Sequence, residues 1–394
     1  PLLFMGGTQD NGTWFGENND PNSWIEIFGG DGGYAAVDTN EGWDRFYTSY
    51  QNGNFIRWVY NPATQRYTTS NGTTGINDSS LAFITPFAMD PNNPQILWTG
   101  GSQMWRTNNG MQSWVAASVT GAAGPSGAEV SAVAVAPGNS NLVIAGTDTG
   151  RVLRNTAALS ASSATAWESQ QLTANGVISE ITFDPNTPGR VYLTQSRFGQ
   201  PHVYRSNDNG VSWLPIDRFG QAGGIPDIPA HSIAVDPDDS DRLYVGTDLG
   251  MFATIDGGNT WAVASSPLPN TVVEKLVFLK DNGVRKLAAF THGRGAWIAN
   301  AGVVAGTQRF DDVPPSYWAF SQIDQIAAAG ITNGCSAVPP LYCPTQSVTR
   351  AEMAVFLLRT EYGSGFVPPA ASGIFADVPS DAWYRAWVEK LYAD

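Results

Sequence analysis

The sequence predicts a mainly β chain: a β-propeller of about seven blades over residues 1–300, then a small α-helical module. Three observations point there. The composition is poor in charge and rich in turn-formers and aromatics. A two-strand pattern returns at blade-length spacing. A helical pattern replaces it after residue 310. Only 14% of the 394 residues are charged, against about 25% in an ordinary globular chain. Gly reaches 42, Pro 25 and Trp 14, a mixture that suits short strands and many turns.

The repeat is read first. SAVAVAPGNSNLVIAGTDTG from Ser131 and HSIAVDPDDSDRLYVGTDLG from His231 share one pattern. ITPFAMDPNNPQILWTGG from Ile84 and SEITFDPNTPGRVYLTQS from Ser179 follow it. Each is an alternating strand, a turn at Asp/Ala-Pro, and a second strand ending near Gly or Thr. The turns fall at Asp90, Ala136, Asp184 and Asp236, spaced by 46, 48 and 52 residues. Alternation at period two gives half-buried strands, and several strands per 40–50 residues give propeller blades. The units run over about 1–24, 25–62, 80–117, 129–170, 177–216, 230–264 and 272–300. The first lacks an inner strand, and the last is expected to lack an outer one.

Each unit closes on a second mark. Ser206 to Trp213 (SNDNGVSW) and Thr254 to Trp261 (TIDGGNTW) match Ser/Thr-x-Asp-x-Gly-x-Ser/Thr-Trp throughout. Thr107 to Trp114 is weaker, with Asn109 and Met111 in the Asp and Gly places. Thr8 to Trp14 is one residue short, and Trp167 ends a decayed copy. In such a turn Asp accepts amide hydrogen bonds and Gly supplies positive φ. The Trp buries a large ring between sheets. Asp208, Gly210, Trp213, Asp256, Gly258 and Trp261 are therefore read as structural, not catalytic.

Residues 301–309 are small and weakly patterned, and read as a linker. Beyond them Ser316 is placed to cap a helix with Phe320, Ile323, Ile326 and Ala327 on one face and Gly330 at its end. Thr349 and Glu352 form a capping box ahead of an apolar stripe of Met353, Phe356 and Leu357, ended by Gly363. Tyr384, Trp387, Val388 and Leu391 repeat the stripe. The helical repeats span 310–372 and, truncated, 373–394.

The net charge of −14 disfavours nucleic acid and anionic membranes as partners. No run of 18 apolar residues offers a membrane span. Residues 1–5 lack the basic flank of a signal peptide, so the chain is expected to start inside a longer or mature protein. It is also expected to end inside its second helical repeat. Cys335 and Cys343 cannot complete a zinc site alone. In a surface protein they would most simply form a disulfide, the alternative being two buried thiols.

On these marks residues 1–300 resemble the BNR/Asp-box propeller superfamily, which includes sialidases, oligoxyloglucan-specific glycosidases and sortilin. GGTQDNGTW from Gly6 and GGDGG from Gly29 look most like large bacterial proteins grouped with the sortilin and xyloglucanase propellers. Residues 310–394 resemble S-layer-homology (SLH) modules. The marks are Phe310-Asp311-Asp312-Val313-Pro314, Trp318, Gly330 to Gly334 and Val348-Thr349-Arg350-Ala351-Glu352. A second copy starts at Phe375, with Phe310/Phe375, Asp312/Asp377, Trp318/Trp383, Ile323/Val388 and Ile326/Leu391 all 65 apart.

The SLH resemblance implies that Arg350, with Asp312 and Trp318, contacts a charged, often pyruvylated cell-wall polysaccharide. The alternative for Arg350 is a salt bridge to Asp312 or Glu352. Sialidase chemistry would need three clustered arginines, and those here are scattered over several units. A glycosidase needs two carboxylates facing a cleft. Asp10 and Asp31 could reach one face, although each sits where Asp caps turn amides. The xyloglucanase group normally sets its cleft between two propellers, and one is visible here. His202, His231 and His292 show no metal-ligand spacing and read as loop histidines. No metal or cofactor is expected, with calcium at Asp236, Asp238, Asp239 and Asp241 as the alternative to a plain turn. The leading expectation is a non-catalytic propeller displayed on a bacterial cell surface or S-layer. The SLH repeats would hold it to envelope polysaccharide, with other surface-layer or filament subunits as further partners. The alternative is a polysaccharide-degrading glycoside hydrolase of the xyloglucanase-like propeller group.

Overall fold

The structure is a computed structural model. It describes residues 3–17, 23–38, 43–125, 127–172, 175–264, 268, 270–281, 284–300, 309–314, 317, 319, 323, 324, 326, 327 and 329–394. The chain divides into two compact units, Pro1–Ala301 and Gly302–Asp394.

The first unit is a seven-bladed β-propeller, each blade an antiparallel sheet taken in chain order. Blade 1 holds β1 (Leu3–Thr8), β2 (Gly12–Glu17) and β3 (Ile25–Phe28). Blade 2 holds β4 (Gly32–Val37), β5 (Arg45–Tyr50), β6 (Asn54–Asn61) and β7 (Arg66–Asn71). Blade 3 holds β8 (Phe87–Asp90), β9 (Asn93–Gly100), β10 (Met104–Thr107) and β11 (Val115–Ala116). Blade 4 holds β12 (Val130–Ala136), β13 (Asn139–Thr147), β14 (Arg151–Asn155) and β15 (Glu168–Gln171). Blade 5 holds β16 (Val177–Phe183), β17 (Val191–Ser196), β18 (Val203–Ser206) and β19 (Leu214–Pro215). Blade 6 holds β20 (Ala230–Asp236), β21 (Asp239–Thr247), β22 (Gly250–Thr254) and β23 (Ala262–Val263). Blade 7 holds β24 (Val273–Asp281), β25 (Val284–Thr291) and β26 (Gly295–Asn300).

The period-two pattern explains the packing. Both faces of a blade are covered, so β13 is apolar on both sides. Val143 and Ala145 point into a core shared with Trp98 and Met104 of blade 3. Leu142 and Ile144 point into a core shared with Ile178 and Leu193 of blade 5. One apolar layer thus lies on each side of a blade, and the first strands of blades 4 to 7 pack on one another.

The blade boundaries near the amino terminus differ from the sequence expectation. Ile25–Phe28 pairs with β2 and belongs to blade 1. Blade 2 instead runs from Gly32 to Asn71. The chain turns between them at Gly30, with φ +90°. β7 has no sequence signature because all six of its residues are exposed, leaving no alternation to read. In the complete blades the fourth strand feeds the next blade's first strand; in blade 1, β3 does so. The described strands of blade 1 are therefore the second to fourth, and those of blade 7 the first to third.

In the second unit α1 (Arg350–Tyr362) and α2 (Arg385–Ala393) pack together. Thr349 and Glu352 form a full capping box, and Gly363 ends α1 with φ +90°. The buried face of α1 is Ala354, Val355 and Leu358. The expected stripe is displaced: Met353 and Leu357 are 44% and 49% exposed. The smaller side chains face inward, and Arg359 on that side lies 5.6 Å from the Trp387 ring centroid. On α2, Tyr384, Trp387, Val388 and Leu391 are half-buried, and the buried residue is Glu389. Ile323 is buried and helical. Ser316, Trp318, Phe320 and linker residues 301–308 lie outside the described residues. Cys335 and Cys343 form a disulfide with Cα atoms 6.0 Å apart. It encloses a hairpin of β27 (Ser336–Ala337) and β28 (Pro340–Leu341).

Candidate functional site

Each blade presents two kinds of turn to opposite rims. One rim carries the turns between first and second strands and between third and fourth. The other carries the turns between second and third strands and the connectors to the next blade. The Asp-Pro turns and the turns ending at Trp114, Trp167, Trp213 and Trp261 occupy the first rim, whereas the short Thr8–Trp14 copy is the β1–β2 turn and lies on the other.

On that rim the carboxylates are consumed locally. Asp208 Oδ1 accepts from Ser206 Oγ at 2.7 Å and Ser212 N at 2.9 Å, and Oδ2 accepts from Ser212 Oγ at 2.5 Å. The hydroxyl and amide hydrogen bonds from Ser212 and Ser206 hold its pKa down to about 2. Asp256 repeats this with Thr254 and Thr260. Desolvation would raise its pKa, but those bonds lower it overall. Asn109 keeps the same amide and hydroxyl bonds with Thr107 and Ser113. Met111, in the Gly place, takes φ +61°. Trp213 and Trp261 are 9% and 6% exposed. Neither Asp208 nor Asp256 has a carboxylate free for chemistry.

Asp236 is fully buried and ion-paired to Arg242 (3.4 Å) and Arg285, which also reaches Asp238 at 3.1 Å. Guanidinium groups thus face the carboxylate considered for calcium. No group of three or more His, Cys, Asp or Glu residues suited to a metal occurs among the described residues.

The opposite rim brings Asp10 and Asp31 together. Asp10 lies in the β1–β2 turn with φ +60° and is exposed. Its amide donates to Asp31 Oδ1 at 2.7 Å. Asp31 in turn donates its amide to Gln51 Oε1 at 2.8 Å. The turns meet closely because Gly7 and Gly32 lack side chains: a Cβ on Gly7 would sit 2.1 Å from the Gly32 carbonyl carbon. Asp31 is thus an oriented carboxylate, and Asp10 presents a carboxylate to solvent beside it.

Between the rims, Tyr34 of β4 feels Glu180 of β16 and Glu274 of β24. Burial, with those two charges, pushes its phenol up to about 12. Glu180 is bonded to Lys275 and accepts the Ile233 amide at 3.3 Å.

His202 and His292 lie in loops and His231 in β20, and each faces a carboxylate. His202 is fully buried, with Nδ1 3.2 Å from Asp217 Oδ2 and Nε2 3.4 Å from Asp227 Oδ1. His231 Nε2 lies 2.6 Å from Asp248 Oδ1, and exposed His292 faces Glu274 at 3.4 Å. Fifteen to twenty-five residues separate His202 from its acids, and no local spacing announces that pairing. A cleft of about 450 Å³ between blades 4 and 5, on the Asp10 rim, was also not foreseen.

In the second unit Arg350 opens α1, is exposed, and makes no ion pair among the described residues. Its considered salt-bridge partners are engaged elsewhere. Asp312 accepts from Tyr342 N at 2.8 Å and Cys343 N at 2.7 Å. Glu352 accepts from Thr349. Among the described residues no helix is long and apolar enough to cross a membrane.

The chain matches no protein-family model. Over 68 residues it is 41% identical to a xyloglucanase of Hypocrea jecorina, covering 17% of this chain and 8% of that protein. Over 107 residues it is 32% identical to the xyloglucanase Xgh74A of Acetivibrio thermocellus, covering 24% of this chain and 13% of that protein. The chain therefore matches only a small part of these relatives' length. Among solved structures, a chain of the COPII outer coat vertex on membranes superimposes with a TM-score of 0.53 at 12% identity. That match covers 77% of this chain and 82% of the other, and it bears on the fold alone.

Proposed function

We propose that the propeller is part of an extracellular glycoside hydrolase acting on a xyloglucan-type polysaccharide. The observation that carries this is the 32% identity over 107 residues to a xyloglucanase. Sequence alone ranks a non-catalytic role first; the similarity reverses that order. Asp10 and Asp31 are the carboxylates assigned to the site. The hydrogen bond from the Asp10 amide orients the Asp31 carboxyl, which suits it to stabilising positive charge or activating water. Exposed Asp10 is placed to exchange a proton with the leaving oxygen. The test is release of reducing ends from xyloglucan by the wild-type chain and by Asp10→Asn and Asp31→Asn. Loss of cleavage by about 100-fold or more in both variants, with binding retained, supports the assignment. Binding of xyloglucan without any cleavage by the wild-type chain supports the non-catalytic reading.

The second unit has its own reading as an envelope anchor of the S-layer-homology kind. A specific observation favours it: Arg350 is exposed, and Asp312 and Glu352 are spent on backbone amides. The guanidinium is left for an outside carboxylate.

A further inference from the structure

The cleft between blades 4 and 5 belongs to neither assignment. Its volume of about 450 Å³ lies within the ~300–1,000 Å³ of pockets that hold small ligands. Asp148 and Thr149 of the β13–β14 turn and Gln171 at the end of β15 line one side. Asn175 of the connector and Ser196 and Arg197 at the end of β17 complete it.

Arg197 is an exposed residue lining the mouth. Its Nη1 donates to the Asn175 carbonyl. Gly176 makes room for it: a Cβ there would come within 3.0 Å of Arg197 Cβ. The guanidinium is thereby oriented by a neutral backbone acceptor, and no carboxylate pairs with it among the described residues. In this chain of net charge −14, Arg154, Arg190, Arg242 and Arg285 pair with a carboxylate, while Arg106, Arg205 and Arg218 are held, like Arg197, by main-chain carbonyls. A planar fork held without its counter-ion suits an external carboxylate bound through two parallel hydrogen bonds.

The facing side suits hydroxyl groups. Asp148 Oδ1 accepts the Glu129 amide at 3.0 Å, which fixes the carboxylate with its second oxygen unassigned. Gln171 Nε2 donates to Thr149 O at 2.8 Å and Asn175 Oδ1 at 3.1 Å, leaving its own oxygen as an acceptor. A cation on one side and hydroxyl acceptors on the other fit a polyhydroxylated acid of one ring.

We propose that this cleft binds a carboxylate-bearing sugar unit of the uronic acid class. The carboxylate lies on Arg197 and the ring hydroxyls on Asp148 and Gln171. The site stands on other blades than Asp10 and Asp31, so its test is independent of the hydrolase assignment.

The experiment is titration calorimetry of the full chain with glucuronate and with glucose. Wild-type protein should bind glucuronate at least tenfold more tightly than glucose. Arg197→Ala should remove that preference, Arg197→Lys should retain part of it, and Gln171→Ala should weaken glucuronate severalfold. Asp10→Asn should bind glucuronate as wild type does. Thermal melts of each variant establish that it is folded. Equal affinity for the two sugars, no binding of glucuronate, or unchanged binding by folded Arg197→Ala would each overturn the proposal.

Discussion

The indole Nε1 of Trp261 donates to the main-chain carbonyl of Ile216 over 2.8 Å, tying blade 6 to the residue that follows the last strand of blade 5. Trp114 reaches Gly72 at 2.6 Å and Trp167 reaches Ala117 at 2.8 Å in the same way. Each acceptor directly follows the fourth strand of the preceding blade. Trp213 is buried in the equivalent place, but its Nε1 has no hydrogen-bond partner among the described residues. Trp261→Phe should therefore cost about 1 kcal/mol more than Trp213→Phe, the worth of one hydrogen bond. Either Trp→Ala should cost about 3–5 kcal/mol through the cavity left behind. Denaturant titration checks both, and equal losses for the two Phe variants would dismiss the latch.

These latches show how far the sequence could be read. The Asp-x-Gly-x-Ser/Thr-Trp turns and the Asp/Ala-Pro turns repeat because every blade must solve the same local problem, so period and blade number were legible. The boundary between blades 1 and 2 is hard to read because β7 is wholly exposed and β3 has only four residues; neither alternates between buried and exposed. In α1 a stripe of Met353, Phe356 and Leu357 looked best by hydrophobicity. The face that is buried is instead Ala354, Val355 and Leu358, so hydrophobicity alone does not pick the inward side. The site residues were least legible because they meet only in three dimensions. Asp10 and Asp31 could be nominated from their turns. The cleft around Arg197 draws on three separate segments and leaves no linear mark. Asp324 and Glu389, 65 residues apart, show a related blind spot. Asp324 holds Arg309 at 2.6 Å, and Glu389 holds the amides of Ser372 and Gly373. Both are buried acids on helices, tying down the segment before each Phe-x-Asp-Val-Pro turn. Periodicity marks a buried helix face by its apolar residues, so an acid on that face leaves no signal.

Acid should loosen the turn around Asp208. Its folded pKa of about 2 lies below its ordinary value of 3.8. A depressed carboxyl contributes stability that is complete above the unfolded pKa and lost as pH falls through the folded one. The loss should fall between about pH 4 and pH 2. Because Asp208 is exposed, solvent screening keeps it small. Asp208→Asn should flatten the denaturation midpoint over that window relative to wild type. Parallel pH profiles for the two proteins would rule this origin out.

His202 should be costly to replace. Asp217 is fully buried and leans on the imidazole Nδ1 and on the His202 amide at 2.5 Å. His202→Leu fills the space but leaves the buried carboxylate only the main-chain amides of residues 202 and 219, which should cost about 1–3 kcal/mol. The double variant His202→Leu/Asp217→Leu should recover part of that loss, because no buried charge is left alone. Urea denaturation of the single and double variants measures both. A double variant no more stable than His202→Leu would argue against the pair.

Reduction should affect the second unit alone. The Cys335–Cys343 bond closes a short loop over the β27–β28 hairpin, and restricting the unfolded loop contributes roughly 2–3 kcal/mol. Two calorimetric transitions are expected, and reductant should lower one while leaving the propeller's in place. A shift of the propeller transition would show that the two units do not melt independently.

The anchor reading turns on Arg350. It is the first residue of α1, so the helix dipole gives it no support there. Neither Asp312 nor Glu352 compensates it, because both serve backbone amides. An exposed cation at a helix start, uncompensated, contributes little to folding, and Arg350→Ala should change stability by less than about 0.5 kcal/mol. If the guanidinium grips a carboxylate of the envelope polysaccharide, the same substitution should weaken retention on purified envelope polysaccharide about tenfold or more. Arg350→Lys should fall between, since an ammonium cannot make the bidentate contact. Retention by the wild-type chain should also withstand moderate salt, because a bidentate, partly desolvated pair is screened less than an open surface charge. Equal retention of wild type, Lys and Ala variants would strip Arg350 of the role and leave the unit without an assigned glycan contact.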